Sequence, residues 1–530
     1  MKLLKVFLAI FFAFFTLFTY AQEGLNNPIT KAMMKVYEKQ LEEDPHDYET
    51  YYKRAIEYYN HNHYAKALDD INNALKYIPK TENDLKFQAL CIRASIYEMT
   101  KEFDKVLDNL NEAFQLDPTS YQVIYRKANA EYMLEDYENA KLDYQRLLGL
   151  NNRSVEAYIG LSRISIIEKN LGQANEYADN AVAIAPSDAE VYIRRASIRK
   201  MMGNNTGAVD DLILALSTGK DYTKALQDLV DLANIDYNAV INGLSNAIKQ
   251  APKVGMFYYI RGVIASAHYN YVAALADFKK IIHENLYNYH GLYNDVAKCQ
   301  YALGSYEDAI YNINYAINSA PEISEYYISK ANILRALGRS AEALDCSETA
   351  INKTPNNTSA IISKGLSLCD LCDFEQAIIL FGEASLNNAN NPYYYILRAN
   401  TLNKHLNRVN DAKKIYERVI DLDYANNDVK SLKGFALLAL GRHDEARIWM
   451  DNILNNTNDN NGLVNYYGAC FYAQLGDKDS AFRCMETSLQ KGYANYYQWT
   501  LDSDNNITVK PLRNDARFKQ LLSKYNLIFK

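Results

Sequence analysis

Beyond Phe18 the chain has no apolar run near the ~18 to 20 residues that a bilayer-spanning helix needs, so the body of the protein is expected not to cross a membrane. It also lacks a basic balance: the formal net charge is −7. Nucleic acid and anionic membrane surfaces both reward a basic face, so neither is an expected partner. Cysteine is sparse and scattered, at seven residues, which excludes a dense disulfide scaffold. An odd number of cysteines cannot all pair internally. Tryptophan is reduced to Trp449 and Trp499. The signatures of chemistry are missing too. There is no G-x-S-x-G, P-loop, H-E-x-x-H or dinucleotide fingerprint, and no non-repeat stretch is long enough to fold as a catalytic domain. No enzymatic activity, metal or cofactor is expected.

Two small constellations have residue types that can carry chemistry. Cys369-x-x-Cys372 falls at the end of a helix and in the turn after it, flanked by Asp370 and Asp373. A reactive thiolate is favoured at a helix N-terminus and near cations, so this setting disfavours redox work. No further ligands follow at a zinc-site spacing. His61 and His63 flank a turn without a third ligand nearby and read as exposed polar residues.

What is present begins with MKLLKVFLAIFFAFFTLFTYAQ. Lys2 and Lys5, the apolar stretch Val6 to Phe18 and the Thr19-Tyr20-Ala21 junction have the order of a secretory signal over residues 1–21. A retained anchor is the competing reading. Cleavage would remove two lysines and no acid, moving the net charge from −7 to −9. The expected location is the periplasm, with secretion or outer-membrane association as alternatives.

The rest of the chain is repetitive. Ala67, Ala140, Ala174, Ala208, Ala274, Ala309, Ala343, Ala377, Ala446 and Ala481 align, each with a small or apolar residue seven positions later. Twelve positions before each lies another small residue, from Ala55 and Ala128 to Gly434, with Gly468 thirteen positions before Ala481. Aromatics such as Tyr64, Tyr137, Tyr271 and Phe374 precede the first alanine by three. Pro79, Pro118, Pro186, Pro252, Pro321 and Pro355 close units, and Gly203, Gly304, Gly338, Gly441 and Gly476 mark the turn in mid-unit. Small residues at these three places let antiparallel helices approach to ~8–10 Å, and proline stops the second helix of each pair. One hairpin cannot bury its apolar face alone, so hairpins stack into a solenoid.

This pattern resembles the tetratricopeptide repeat over nearly the whole chain. Thirteen units start near Tyr48, Phe87, Tyr121, Val155, Ala189, Asp221, Gly255, His290, Ser324, Thr358, Pro392, Asn427 and Asn461, mostly 34 residues apart, and fill 48–494. Residues 28–47 read as an N-terminal half-repeat, and 495–530 resemble the capping helices of exported bacterial tetratricopeptide proteins. The resemblance implies an all-α, right-handed solenoid of stacked helix-turn-helix units.

Inside the units, Arg54, Lys127, Arg195 and Arg261 each have an aspartate 16 residues later, at Asp70, Asp143, Asp211 and Asp277. That offset predicts ion pairs between the two helices of one hairpin. In the basic stretch YIRRASIRK, Arg195 therefore belongs to the scaffold, and Arg194, Arg199 and Lys200 are expected on solvated faces.

The resemblance also implies that first helices line a concave groove for protein or peptide partners. Its second, fifth, ninth and twelfth unit positions place Tyr52, Tyr59, Tyr125, Asn129, Tyr132, Tyr259, Asn294, Lys298, Tyr301, Asn332, Arg335, Asn465 and Tyr472 there. The Lys and Asn residues of a carboxylate clamp for chaperone tails are not supplied by any three consecutive units. A non-enzymatic scaffold for protein–protein contacts is thus the expected function. A glycan-binding envelope protein with an aromatic surface is the alternative. The sequence does not specify the oligomeric state.

Overall fold

The structure is a computed structural model that describes residues 27–219, 223–287, 289–422, 427–457, 459–501, 507–525 and 527. The expected signal at 1–21, the expected unit start at Asp221 and residues 502–506 of the expected cap lie outside the described residues. The chain divides into two compact units, Met1–Ala225 and Leu226–Lys530.

The first unit is a succession of helices. They are α1 (Pro28–Glu43), α2 (Tyr48–Asn60), α3 (Tyr64–Tyr77), α4 (Asn83–Thr100), α5 (Phe103–Leu116), α6 (Tyr121–Met133), α7 (Tyr137–Leu150), α8 (Val155–Ile167), α9 (Leu171–Ile184), α10 (Ala189–Met201) and α11 (Asn205–Ser217). The division falls within α12 (Thr223–Ala233). The second unit continues with α13 (Tyr237–Gln250), α14 (Gly255–Ala267), α15 (Tyr271–Glu284), α16 (Gly291–Ala302), α17 (Tyr306–Ser319), α18 (Ser324–Ala336), α19 (Ser340–Lys353), α20 (Thr358–Asp370) and α21 (Phe374–Asn387). It ends with α22 (Pro392–Lys404), α23 (Val409–Asp421), α24 (Asn427–Ala439), α25 (His443–Asn456), α26 (Leu463–Leu475), α27 (Lys478–Gln490), the short α28 (Tyr496–Thr500) and α29 (Ala516–Lys524). Within each unit successive helices pair as antiparallel hairpins, and the hairpins stack on one another. The architecture is an all-helical solenoid of stacked helix pairs.

Asn and Asp are frequent in this sequence because they start its helices. Asp47, Asp188, Asn357 and Asn391 accept from backbone N–H groups in the first turn of first helices. Asp136, Asn170, Asn204, Asn270, Asp373 and Asp477 do the same for second helices. Each such cap contributes about 1 kcal/mol. The mid-unit turn needs one left-handed residue. Gly203, Gly304, Gly338, Gly441 and Gly476 supply it in five units, while Asn62, Lys101, Glu135, Lys169, Tyr269 and Cys372 adopt the same positive φ elsewhere.

The repeated alanines are the tightest helix contacts. Ala55, Ala67, Ala74, Ala128, Ala140, Ala297, Ala309 and Ala316 are wholly buried. Where the small residue is glycine, a neighbouring ring fills the space. Tyr144 lies against Gly160, where an added Cβ would come within 2.3 Å of the ring. The Tyr144 hydroxyl donates to Asn129 Oδ1 at 2.8 Å. Gly160→Ala is expected to destabilise by about 1–3 kcal/mol through overpacking, against the ~1 kcal/mol that alanine gains in helix propensity. Urea denaturation checks this, and a more stable variant would show that the hairpins part without cost.

The pairs at the 16-residue offset form. Arg54 Nε and Nη2 donate to Asp70 at 2.7 Å each, Lys127 Nζ to Asp143 at 2.6 Å, and Arg261 Nε and Nη2 to Asp277 at 2.8 and 2.6 Å. Arg195 does the same to Asp211 at 3.0 and 2.6 Å. These arginines also reach back one hairpin: Arg195 Nη1 to Asp179 and Arg261 Nη1 to Ser245, both at 2.8 Å. One guanidinium thus ties three helices. The expectation for Arg199 is corrected, because it contacts Asp211 at 3.0 Å and donates to the Gly207 carbonyl at 3.2 Å. It lies one helical turn beyond Arg195 and so faces the same acidic pocket. Arg194 lies on the surface and pairs with Glu190 at 2.8 Å.

One boundary shifts: α4 begins at Asn83, before the expected unit start near Phe87. The sixth unit has a first helix, α12, in which Leu229 and Leu232 are buried at an i, i+3 spacing. Asn460 Nδ2 donates to the carbonyl of Asn234, 226 residues away, at 3.4 Å. The second unit therefore closes on itself.

Candidate functional site

First helices α18, α20, α22, α24 and α26 present their inner faces to a common cavity of about 620 Å³ in the second unit. Ile328, Asn332 and Arg335 come from α18, while Ser359, Ile362, Ser363 and Leu366 come from α20. Tyr393 and Tyr394 project from the start of α22, Val429 and Leu432 from α24, and Leu463, Tyr466 and Tyr467 from α26. Tyr269 and Tyr301 complete the near wall. The remaining wall belongs to the segment after the last hairpin, through Tyr493, Asn495, Tyr497, Gln498 and Leu501, together with Ile507.

Among the described lining residues Arg335 carries the one charge, and that charge is already matched. Its Nε and Nη2 donate to Asp370 at 2.7 and 3.3 Å, and its side chain is 7% exposed. Burial alone would weaken the Arg335 charge, but Asp370 and the nearby phenols of Tyr497 and Tyr301 outweigh it and raise its pKa. Burial likewise raises the phenols of Tyr301, Tyr393, Tyr466 and Tyr493 above the ordinary tyrosine value. At neutral pH the cavity therefore offers uncharged hydroxyls, amides and ring faces. Its described lining residues include no activated nucleophile and no acid–base pair.

Of the residues expected in the groove, Tyr301, Asn332 and Arg335 share this cavity. Nearby on the same unit, Tyr259 donates to Asp295 at 3.2 Å and Lys298 to Glu325 at 2.9 Å. Asn294 is buried, and its Oδ1 accepts from no group among the described residues. In the first unit, Tyr52 donates to Gln88 at 3.2 Å and Tyr59 packs on Tyr64. Asn129 accepts from Tyr144, Arg163 lies 3.9 Å over the Tyr132 ring, and Tyr125 packs partly buried beside Ile124 and Leu161.

Asn465 and Tyr472 are corrections. Both are buried: Asn465 Nδ2 donates to Asp459 at 2.5 Å, and the Tyr472 hydroxyl donates to Asp451. Internal partners satisfy these polar tips, and neither residue lines the cavity. Tyr393, Ser359, Ile362 and Leu366 sit at the second, fifth and ninth unit positions and could have been named by the same rule. Tyr269, Tyr493, Tyr497 and Gln498 could not, because a turn and the C-terminal segment supply them.

Among the described residues no group of three or more His, Cys, Asp and Glu could hold a metal ion. Cys369 is buried and Cys372 exposed. Burial pushes the Cys299 and Cys484 thiols up to about 12. His61 lies 3.9 Å from Glu57. Among the described residues no helix is long and apolar enough to cross a membrane.

Stacked hairpins with alanine contacts, inter-helix ion pairs and an inner binding face define a helical-repeat scaffold, and its hairpins are of the tetratricopeptide type. The family profile for the tetratricopeptide repeat matches residues 405–461. Tetratricopeptide repeat protein 16 of Mus musculus is 23% identical over 393 residues, which is 65% of this chain and 51% of that protein. Anaphase-promoting complex subunit 3 of Schizosaccharomyces pombe is 26% identical over 147 residues, covering 28% of this chain and 19% of that one. The chain thus spans about half the length of the mouse relative and less of the fission-yeast one. Among solved structures, yeast Tom70 is 16% identical, covers 77% of this chain and 99% of its own, and has a TM-score of 0.36.

Proposed function

We propose that the protein is an adaptor that holds a segment of a partner protein in the groove of its second unit. The observation that carries this reading is the cavity of about 620 Å³, built from first helices of five hairpins and lined by uncharged hydrogen-bonding groups and tyrosine rings. Amide side chains such as Asn332 and Asn391 can both donate to and accept from a peptide backbone. Tyrosines give contact area at low entropic cost. The secretory order of residues 1–21 supports placing the adaptor in the periplasm or at the outer membrane.

The test is affinity capture by the tagged full chain from native envelope extract, compared with Asn332→Ala/Tyr394→Ala. The expected result is a protein retained by the native chain and reduced tenfold or more by the variant, since each anchoring tyrosine is worth about 1–2 kcal/mol. A partner retained equally by both would place the contact outside this cavity. A second reading, a neutral oligosaccharide, is favoured by the same ring faces and amides. Saturable oligosaccharide binding in calorimetry together with an empty capture would replace the protein partner with a glycan.

A further inference from the structure

The groove already holds a peptide: part of this chain. After Gly492, which turns the backbone at φ +96, residues 493–501 leave the last hairpin and cross to the start of the same unit. Two side chains anchor the segment at home. Trp499 is wholly buried against Tyr466, and Tyr493 stacks on Tyr466 with centroids 4.9 Å apart. Two others reach across. Tyr497 packs on Tyr301 at 4.5 Å, and Tyr496 fits over Gly304, where an added Cβ would fall 2.6 Å from its Cδ1. The backbone joins in, with Ala494 N–H donating to the carbonyl of Tyr269 at 3.3 Å.

We propose that the rings of Tyr496 and Tyr497 are an internal ligand, and that the partner's segment is an uncharged, tyrosine-bearing peptide that displaces them from these seats. This deepens the adaptor reading and rests on it. The chemistry follows from the walls: the one cavity charge is matched by Asp370, so a charged peptide would meet no counter-charge and would lose its hydration. A segment such as Tyr-Ala-Asn-Tyr-Tyr carries ring faces, hydroxyls and an amide, which are the groups the groove offers. Of the crossing groups, Tyr493 also packs on Tyr269 at 4.7 Å and is buried, whereas the rings of Tyr496 and Tyr497 are half-buried and stand in the first turn of a five-residue helix. These two rings are therefore the part of the segment that can open while Trp499 and Tyr493 stay in place.

The experiment uses the full chain and a labelled synthetic peptide with blocked ends, GYANYYQWTL, which copies residues 492–501. Two variants empty the seats by different routes. Tyr496→Ala/Tyr497→Ala removes the crossing rings. Gly304→Asn pushes Tyr496 off while keeping a residue that tolerates the left-handed turn, as Asn62 does in the first unit. Fluorescence anisotropy is expected to show saturable binding to both variants, at least fivefold tighter than to the native chain, and lost when Tyr301→Ala is added. Amide exchange in the native chain is expected to be faster in α28 than in α26. Equal binding to native and variant chains, binding to none of them, or α28 amides as protected as those of α26 would overturn the proposal. A partner captured through Asn332 and Tyr394 while the peptide fails to bind would sink the internal ligand alone and leave the adaptor standing.

Discussion

Trp499→Ala is expected to lower the unfolding free energy by about 3–5 kcal/mol, the usual loss for truncating a fully buried aromatic residue. Trp499 is wholly buried against Tyr466 and Tyr493, and its indole N–H donates to the Tyr493 carbonyl at 3.2 Å. Its removal leaves a large void in the cluster formed by the last hairpins and the C-terminal segment. It also strands the Tyr493 carbonyl, a loss that larger apolar replacements would share. Stability in a repeat array is close to nearest-neighbour in character, so the damage is expected at the C-terminal end. Hydrogen exchange should show faster exchange in α26, α27 and α28, with α2 to α9 unchanged. A small and evenly distributed change would show that Trp499 only covers the end of the array.

Arg261→Leu is expected to cost about 3–5 kcal/mol, because it leaves a buried carboxylate without its cation. Asp277 is 6% exposed, and both its oxygens accept from Arg261. The parallel change Arg195→Leu is expected to cost less, although Asp211 is even more deeply buried. Arg199 stays within 3.0 Å of Asp211 and keeps it paired. Guanidinium denaturation of both variants measures the difference. The double variant Arg261→Leu/Asp277→Leu should recover most of the loss, because an apolar pair of similar volume strands no charge. Equal costs for the two single variants would show that Arg199 does not support the pocket.

Sequence reasoning reached far into the hairpins and less far into the site. The alanine contacts, the proline stops and the 16-residue ion pairs lie within one unit, so their spacing in the chain is their spacing in space. The pair Arg54–Asp70 follows from the geometry of one helical hairpin. The second bond from Arg195, back to Asp179, runs between hairpins, where spacing within one unit carries no information. Basic residues at the end of a helix usually face water, but the second helix of Arg199's own hairpin brings Asp211 to it. Asn465 and Tyr472 satisfied a positional rule, yet Asp459 and Asp451 claim their polar tips. A rule that fixes where a side chain points does not fix what meets it there.

The sequence alone determined the repeating unit, its helices and turns, and the ties within each hairpin, because those depend on contacts over 34 residues or fewer. Only the tertiary structure decided that the second unit closes on itself, that Tyr301, Asn332 and Arg335 share a cavity with Tyr393 and Tyr466, and that α28 lies across it. The physical reason is accumulation. Each hairpin rotates slightly on the last, and the side-chain packing that sets each rotation decides, after many repeats, which distant residues meet.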